Sequence, residues 1–213
     1  MAASGFDDAK SFWDSRFAAP EYIFGTEPNA FLRSQQVLFR SGMRVLDIAC
    51  GEGRNAVWLA KLGCEVVGID LSPKALAKAA NLQRSADVAV TWVEADIRDW
   101  KWKPDQFDAV LSIFIQFAAP EGRAKIFDGM QRTLRAGGHL MIEGFTPRQL
   151  QYQSGGPRNL EHLYTEALLR ESFGALDIVH LREHDVVLKE GTKHSGTAAL
   201  IDLVARKPSR RGT

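Results

Sequence analysis

Four carboxylates fall at the ends of successive apolar runs in this chain. Asp47 follows Val45-Leu46, Asp70 follows Val66-Val67-Gly68-Ile69, Asp96 lies just past Trp92-Val93, and Glu143 follows Leu140-Met141-Ile142. A fifth acid, Glu52, sits inside the turn Gly51-Glu52-Gly53. Glycine leaves no Cβ between main chain and ligand and takes positive φ without strain. A helix opening just behind such a turn, near Arg54, presents free N–H groups. In an open α/β sheet the carboxyl ends of the strands form the ligand crevice, so these residues describe an acid-rimmed cradle.

Two ligands compete for it. Gly51-Glu52-Gly53-Arg54-Asn55-Ala56 satisfies G-x-G-x-x-G/A, with Asp70 at about the distance of a ribose-binding acid. A NAD(P)-dependent oxidoreductase is therefore one reading. A pyrophosphate carries two negative charges, however, and sits badly beside Asp47 and Glu52. S-adenosylmethionine carries an ammonium, a sulfonium and one carboxylate, and opposite charges attract strongly in a partly dry cleft. On this reading the methionine ammonium lies near Asp47, Asp70 takes the ribose hydroxyls, and Asp96 accepts from the adenine amino group. The charges favour the sulfonium.

The elements that must position these acids alternate. Strands are expected at 45–49, 65–69, 88–93, 107–113 and 139–142, with helices at 55–62, from Ser72-Pro73 to about 84, and at 120–135. Short strands separated by helices imply a parallel sheet covered on both faces. A weaker helix spans about 165–173. Two long strand-like segments, 177–188 and 197–205, are separated by too few residues for a crossover helix and should pair antiparallel. The expectation is a three-layer Rossmann-like α/β fold with a seven-stranded, mostly parallel sheet and a C-terminal antiparallel hairpin. Upstream, residues 9–40 read as two helical pieces broken at Ala19-Pro20 and near Gly25–Pro28. Phe12, Trp13, Phe17, Tyr22, Phe24 and Phe31 make this stretch aromatic. Either it packs as an amphipathic helix, or it closes as a lid over a ligand.

Asp47-Ile-Ala-Cys-Gly-Glu-Gly53, Asp70 and Ala95-Asp96-Ile97 resemble the ordered motifs of class I S-adenosylmethionine-dependent methyltransferases. Phe12-Trp-Asp-Ser-Arg-Phe17 and Tyr22-Ile-Phe-Gly-Thr-Glu-Pro-Asn29 resemble the branch related to tellurite-resistance and thiopurine methyltransferases, in which the N-terminal segment helps cover the cofactor. The resemblance runs from about residue 12 to 205. It departs at Ala49, where the family pattern often has glycine. It implies S-adenosyl-L-methionine as cofactor, held by Trp13, Tyr22, Asp47, Ala49, Cys50, Gly51, Glu52, Gly53, Asn55, Asp70, Leu71, Ala95, Asp96, Ile97, Ser112 and Phe114. It also implies a single domain: a helical lid at 1–40, a core at 41–205 and a basic tail at 206–213.

Methyl transfer from a sulfonium is an in-line displacement on an activated carbon, so the protein must chiefly align the partners and exclude water. The long segment Gly144–His162 is expected on the acceptor side, with Phe117, Phe145, Tyr152 and Arg158 as substrate-contacting residues. Arg148 and Arg158 hint at an anionic acceptor, although loop arginines are commonly just solvated. His194, read as a residue of the hairpin loop, and Glu143, at a strand end, are the candidate general bases. Resemblance to the tellurite and thiopurine branch suggests a small acceptor such as a thiol or chalcogen anion. A non-catalytic S-adenosylmethionine binder is a further alternative, because a displacement needs no diagnostic nucleophile in the protein.

The 213 residues carry a net charge of +1, which argues against nucleic acid or a membrane surface as partner. The fourth strand also lacks the Asp/Asn-Pro-Pro-aromatic sequence of resembling DNA amino-methyltransferases. No apolar run approaches a membrane span, and Asp7, Asp8 and Lys10 interrupt any secretory signal. Cys50 and Cys64 are too few and too separated for a disulfide scaffold or a zinc site. A cytoplasmic enzyme without a metal is the expectation.

Overall fold

Runs of β-branched and apolar residues, punctuated by capped helices, assemble into one seven-stranded sheet of order β3-β2-β1-β4-β5-β7-β6 in the computed structural model, which describes residues 6–209. The strands are β1 (Arg44–Ile48), β2 (Glu65–Asp70), β3 (Val90–Glu94), β4 (Phe107–Ile113), β5 (Leu134–Phe145), β6 (Asp177–Glu190) and β7 (His194–Arg206). The first five pair in parallel, and β7 runs antiparallel to both β5 and β6. This is the expected three-layer Rossmann-like arrangement with its C-terminal antiparallel hairpin. Strand order reverses between β1 and β4, and a crevice opens at such a switch point.

Helices α3 (Arg54–Lys61), α4 (Pro73–Ala86), α5 (Pro120–Thr133) and α6 (Glu166–Ser172) cover the sheet. Ser72 caps α4 by accepting from the Ala75 N–H at 3.2 Å, with Pro73 in its first turn. One face buries Val45, Leu111, Met141 and Val204 under Leu32, Phe39 and Leu59. The other buries Leu46, Val110, Leu140 and Leu203 under Phe127, Met130 and Phe173. Among the described residues no helix is long and apolar enough to cross a membrane. Arg210 and Arg211 of the basic tail lie outside the described residues, as do the first five.

Three expectations change. The N-terminal stretch forms α1 (Phe6–Arg16), then irregular chain, then the short α2 (Ala30–Ser34) and a 3-10 turn at Gln36–Leu38. Pro20 and Pro28 withdraw helical donors, and Gly25 is left-handed at φ +75°. The terminal hairpin is longer than read, because the turn contracts to residues 191–193 and Glu190 pairs with His194. His194 is therefore the buried first residue of a strand and not a loop residue. Likewise β5 continues two residues past Glu143, so this acid lies within the ladder opposite Asp202 rather than at a strand end.

The Gly144–His162 segment is ordered against β7. Gln149 Oε1 accepts from the Ala199 N–H at 2.9 Å and its Nε2 donates to Ser154 Oγ at 3.0 Å; that hydroxyl donates in turn to Thr197 O at 2.6 Å.

Candidate active site

The turn after β1 is left-handed at alternate residues: Ala49 (φ 49°), Gly51 (φ 55°) and Gly53 (φ 82°). The two glycines serve different ends. A Cβ on Gly51 would meet only Phe17 Cζ, at 3.6 Å, whereas one on Gly53 would stand 2.7 Å from both Ala79 Cβ and the Trp92 ring. Gly51 is thus the open cradle and Gly53 a packing requirement. Asp70 fastens the turn, accepting from the Gly51 N–H at 2.7 Å and the Ser72 N–H at 2.9 Å. Burial raises its carboxyl above the usual range, against three backbone N–H groups that favour the anion.

Asp47 lies beneath the turn, 2% exposed, and its Oδ2 has no hydrogen-bond partner. Burial pushes its carboxyl up to about 7, partly countered by Arg54. A buried, unsatisfied carboxylate oxygen is costly unless a cation or donor reaches it. The methionine ammonium of S-adenosylmethionine is such a group, and a pyrophosphate is not. The residues present fit the cofactor on that observation.

Other members of the expected cofactor set are engaged elsewhere. Glu52, taken as a crevice acid, accepts from the Ile23 and Phe24 N–H groups at 3.2 Å each and pairs with Lys78 Nζ at 2.5 Å. Its charge is neutralised and clamps the N-terminal segment, so the charge argument rests on Asp47 and Asp70. Asn55 accepts from the Asn29 N–H at 2.9 Å, another clamp on the same segment. Tyr22 turns its hydroxyl to Lys78 O at 2.9 Å, on α4. Trp13 stacks on Phe17 at 5.7 Å, and Phe17 in turn overlies Gly51. Asp96 is held by the Arg98 side chain and backbone N–H; burial would raise it, but those bonds outweigh burial and bring its carboxyl down. An adenine amino group there would share an acceptor already in use. Leu71 accepts from Lys10 Nζ through its carbonyl, Ala95 N–H donates to Asp70 O, Ile97 is buried and Cys50 half-buried. Ser112 is fully buried with an unpartnered Oγ.

Beyond the turn a second constellation surrounds His194. Its ring lies 4.7 Å from Phe24, 4.6 Å from Phe114 and 5.6 Å from Phe145 (centroid distances). Phe114 reaches this place through a left-handed backbone (φ 57°) just after β4. Burial lowers the imidazole's affinity for a proton, with Glu190 opposing, so His194 is neutral at pH 7. Its Nδ1 is 3.6 Å from Glu190 Oε2, and Arg54 Nη2 donates to that oxygen at 2.7 Å. Burial alone would raise Glu190, but His194 and Arg54 together hold it at about 2.

Asn29 joins the groups. Its Nδ2 donates to Glu143 Oε2 at 2.5 Å and to Glu190 Oε1 at 3.3 Å, while its Oδ1 caps α2 from the Leu32 N–H. Burial, then the neighbouring Asp202 and Glu190, push Glu143 well above the usual range. The two candidate bases are thus linked through Glu190 and Asn29. Sequence reading missed Asn29, Arg54 and Glu190 as site residues. Arg54 lies in the glycine motif and Asn29 ends the Tyr22–Asn29 motif, neither with a site role assigned, and Glu190 carries no local signal.

The substrate set divides. Phe145 belongs to the aromatic cluster, stacked on Phe114 at 4.8 Å. Phe117 is partly exposed after β4. Tyr152 and Arg158 are held at the sheet edge: the Tyr152 hydroxyl reaches Asp185 on β6 at 3.4 Å, and Arg158 Nη1 donates to Tyr152 O at 3.1 Å. Arg148 pairs with Asp185 as well, so it offers no free charge to an anionic acceptor.

Residues 45–138 match the family model described as a methyltransferase domain. An uncharacterized methyltransferase of Synechocystis is 36% identical over 118 residues, covering 54% of this chain and 53% of that protein. The chain thus spans about half the length of this curated relative. Two solved structures share the fold. TehB from Haemophilus influenzae superposes with a TM-score of 0.68 at 18% identity, over 93% of this chain and 66% of that one. The N-methyltransferase NodS from Bradyrhizobium japonicum, in complex with S-adenosyl-L-homocysteine, superposes with a TM-score of 0.70 at 18% identity, over 94% and 98%.

Proposed function

We propose that this chain, whose residues 45–138 match a methyltransferase domain model, is a class I S-adenosylmethionine-dependent methyltransferase of a small-molecule acceptor, with a thiol or related chalcogen nucleophile as its preferred class. The observation that carries the reading is the unsatisfied Oδ2 of Asp47 beneath the open Gly51 turn, a place for a cation within the crevice. The bound cofactor supplies a methyl carbon activated by its sulfonium.

The chain's own residues do the rest. Asp47 and Asp70 hold the two polar ends of the ligand, and orientation of this kind supplies ~7–11 kcal/mol toward displacement. Phe24, Phe114 and Phe145 exclude water and favour a polarisable, apolar-bodied acceptor. His194, ringed by these side chains, would take the proton of an acceptor S–H and so leave a thiolate as the nucleophile; with the cofactor bound, transfer of the methyl to that sulfur would break the methyl–sulfonium bond and release S-adenosylhomocysteine. Glu190, ionised and oriented by Arg54, stabilises the imidazolium that results. Arg54 and Arg148 are spent on Glu190 and Asp185, which disfavours a carboxylate acceptor. The likeness to TehB is one of fold alone and does not bear on the acceptor.

Calorimetry tests the reading. S-adenosylhomocysteine should bind in the micromolar range and NAD(P) should not, and Asp70→Ala should weaken the adenosyl thioether at least a hundredfold. Binding of NAD(P) alone, or affinity within a few-fold in the variant, overturns it. A panel of thiols, amines, carboxylates and chalcogen anions then reads the acceptor class, and turnover with amines only would refute the soft-nucleophile preference.

A further inference from the structure

On the sheet face covered by α2, three strands bring Glu143 (β5), His184 (β6) and Asp202 (β7) together. Glu143 and Asp202 are direct ladder partners, and His184 pairs with Leu200, two residues along β7. One oxygen or nitrogen from each lies within 4.8 Å of the other two, and His184 Nε2 stands 2.8 Å from Asp202 Oδ2. The two acids are 3% and 6% exposed, and Asp202 Oδ1 has no hydrogen-bond partner. A groove of about 250 Å³ between α2 and the terminal hairpin opens on all three side chains. Arg182 shares that wall but is exposed, with solvent available for its charge. Asn29 occupies only one oxygen of Glu143.

We propose that Glu143, His184 and Asp202 bind a divalent transition-metal ion, with a coordination position left open toward the groove. Two adjacent buried carboxylates are expensive without a counter-charge, and a dication supplies one. One imidazole and two carboxylates suit Zn²⁺ or Mn²⁺ better than Mg²⁺, which prefers oxygen and its own waters. Three protein ligands leave room for a water or a groove ligand. The site shares Glu143 with the constellation around His194, but none of its three ligands belongs to the glycine turn, and it does not depend on the methyltransferase reading. No motif announces it, because its members come from three strands 18 to 59 positions apart, as their numbers show.

The test uses the full chain, stripped by EDTA dialysis and free of cofactor, titrated with ZnCl₂, MnCl₂ and MgCl₂ by calorimetry and followed by thermal melting. One equivalent of Zn²⁺ should bind with a Kd in the micromolar range or tighter and raise Tm. His184→Ala and Asp202→Asn should each weaken it at least tenfold, and Mg²⁺ should bind at least tenfold more weakly than Zn²⁺. Absence of saturable Zn²⁺ binding, or unchanged affinity in the variants, overturns the site; parity with Mg²⁺ overturns its transition-metal character. Should Asp202→Asn fail to fold, His184→Ala on the edge strand decides. S-adenosylhomocysteine titrated in parallel separates the fates of the two readings: its loss refutes the methyltransferase, and loss of Zn²⁺ refutes only this site.

Discussion

Ala49 carries a left-handed backbone (φ 49°) that suits glycine. That conformation costs an L-residue about 1–2 kcal/mol, part of which Ala49→Gly forfeits through the greater freedom of the unfolded chain. The substitution should raise stability by roughly 0.5–1 kcal/mol in urea denaturation, and a decrease would mean that the turn relaxes its strain elsewhere. Asp47 makes a pH prediction. Burial raises its carboxyl to about 7, against ~3.9 unfolded, so the folded chain holds a proton there that the unfolded chain releases. Its contribution to stability is therefore complete below about pH 4 and declines as pH rises toward 7. A ligand ammonium favours the anion, so S-adenosylhomocysteine affinity should move the opposite way, weakening by roughly tenfold from pH 8 to pH 6. Calorimetry at the two pH values checks this; equal affinities would place the ammonium elsewhere. The acid was legible as a strand-end residue, but its unsatisfied oxygen was not, since that depends on what every neighbour fails to offer.

At the scale of elements, the chain between α1 and α2 is pinned from two sides. Glu52 holds the Ile23 and Phe24 N–H groups. The hairpin tip donates from Thr192 and Lys193 to Ile23 O at 2.9 and 3.2 Å. Gly191 is required there, because a Cβ would fall 2.3 Å from Ile23 O. The aromatic content of this stretch pointed to a cover over the crevice, and its wide spacing of prolines and glycines to a broken helix. What the sequence could not carry was the partner: Glu52 read as a ligand acid because it sits in the ligand loop. Glu52→Ala should leave Lys78 held only by the Ala19 and Glu21 carbonyls and loosen residues 17–29. Limited proteolysis should then cut that segment at least tenfold faster, with cleavage suppressed by S-adenosylhomocysteine. An unchanged cleavage rate would show the hairpin tip to be a sufficient clamp.

Across the whole molecule, β7 ties the two layers together. Its alternate residues enter opposite cores, Leu203 on the α5–α6 face and Val204 on the α2–α3 face. Leu203→Ala should cost about 2–5 kcal/mol, read as a shift of a single unfolding transition; two transitions would mean that the layers fold apart. By itself the sequence determined the strand–helix alternation, the terminal hairpin, the glycine turn and the acids at successive strand ends. Each of these is written in local periodicity, capping residues and backbone freedom, over spans of a few residues. Only the tertiary structure decided which acids stay open to a ligand, which are consumed by the N-terminal clamp, and that Asn29 joins Glu143 to Glu190, with His194 beside Glu190. The Glu52 clamp and the Asn29 link depend on contacts between residues 28 to 161 positions apart, and strand register and burial, rather than residue type, select which side chains face one another.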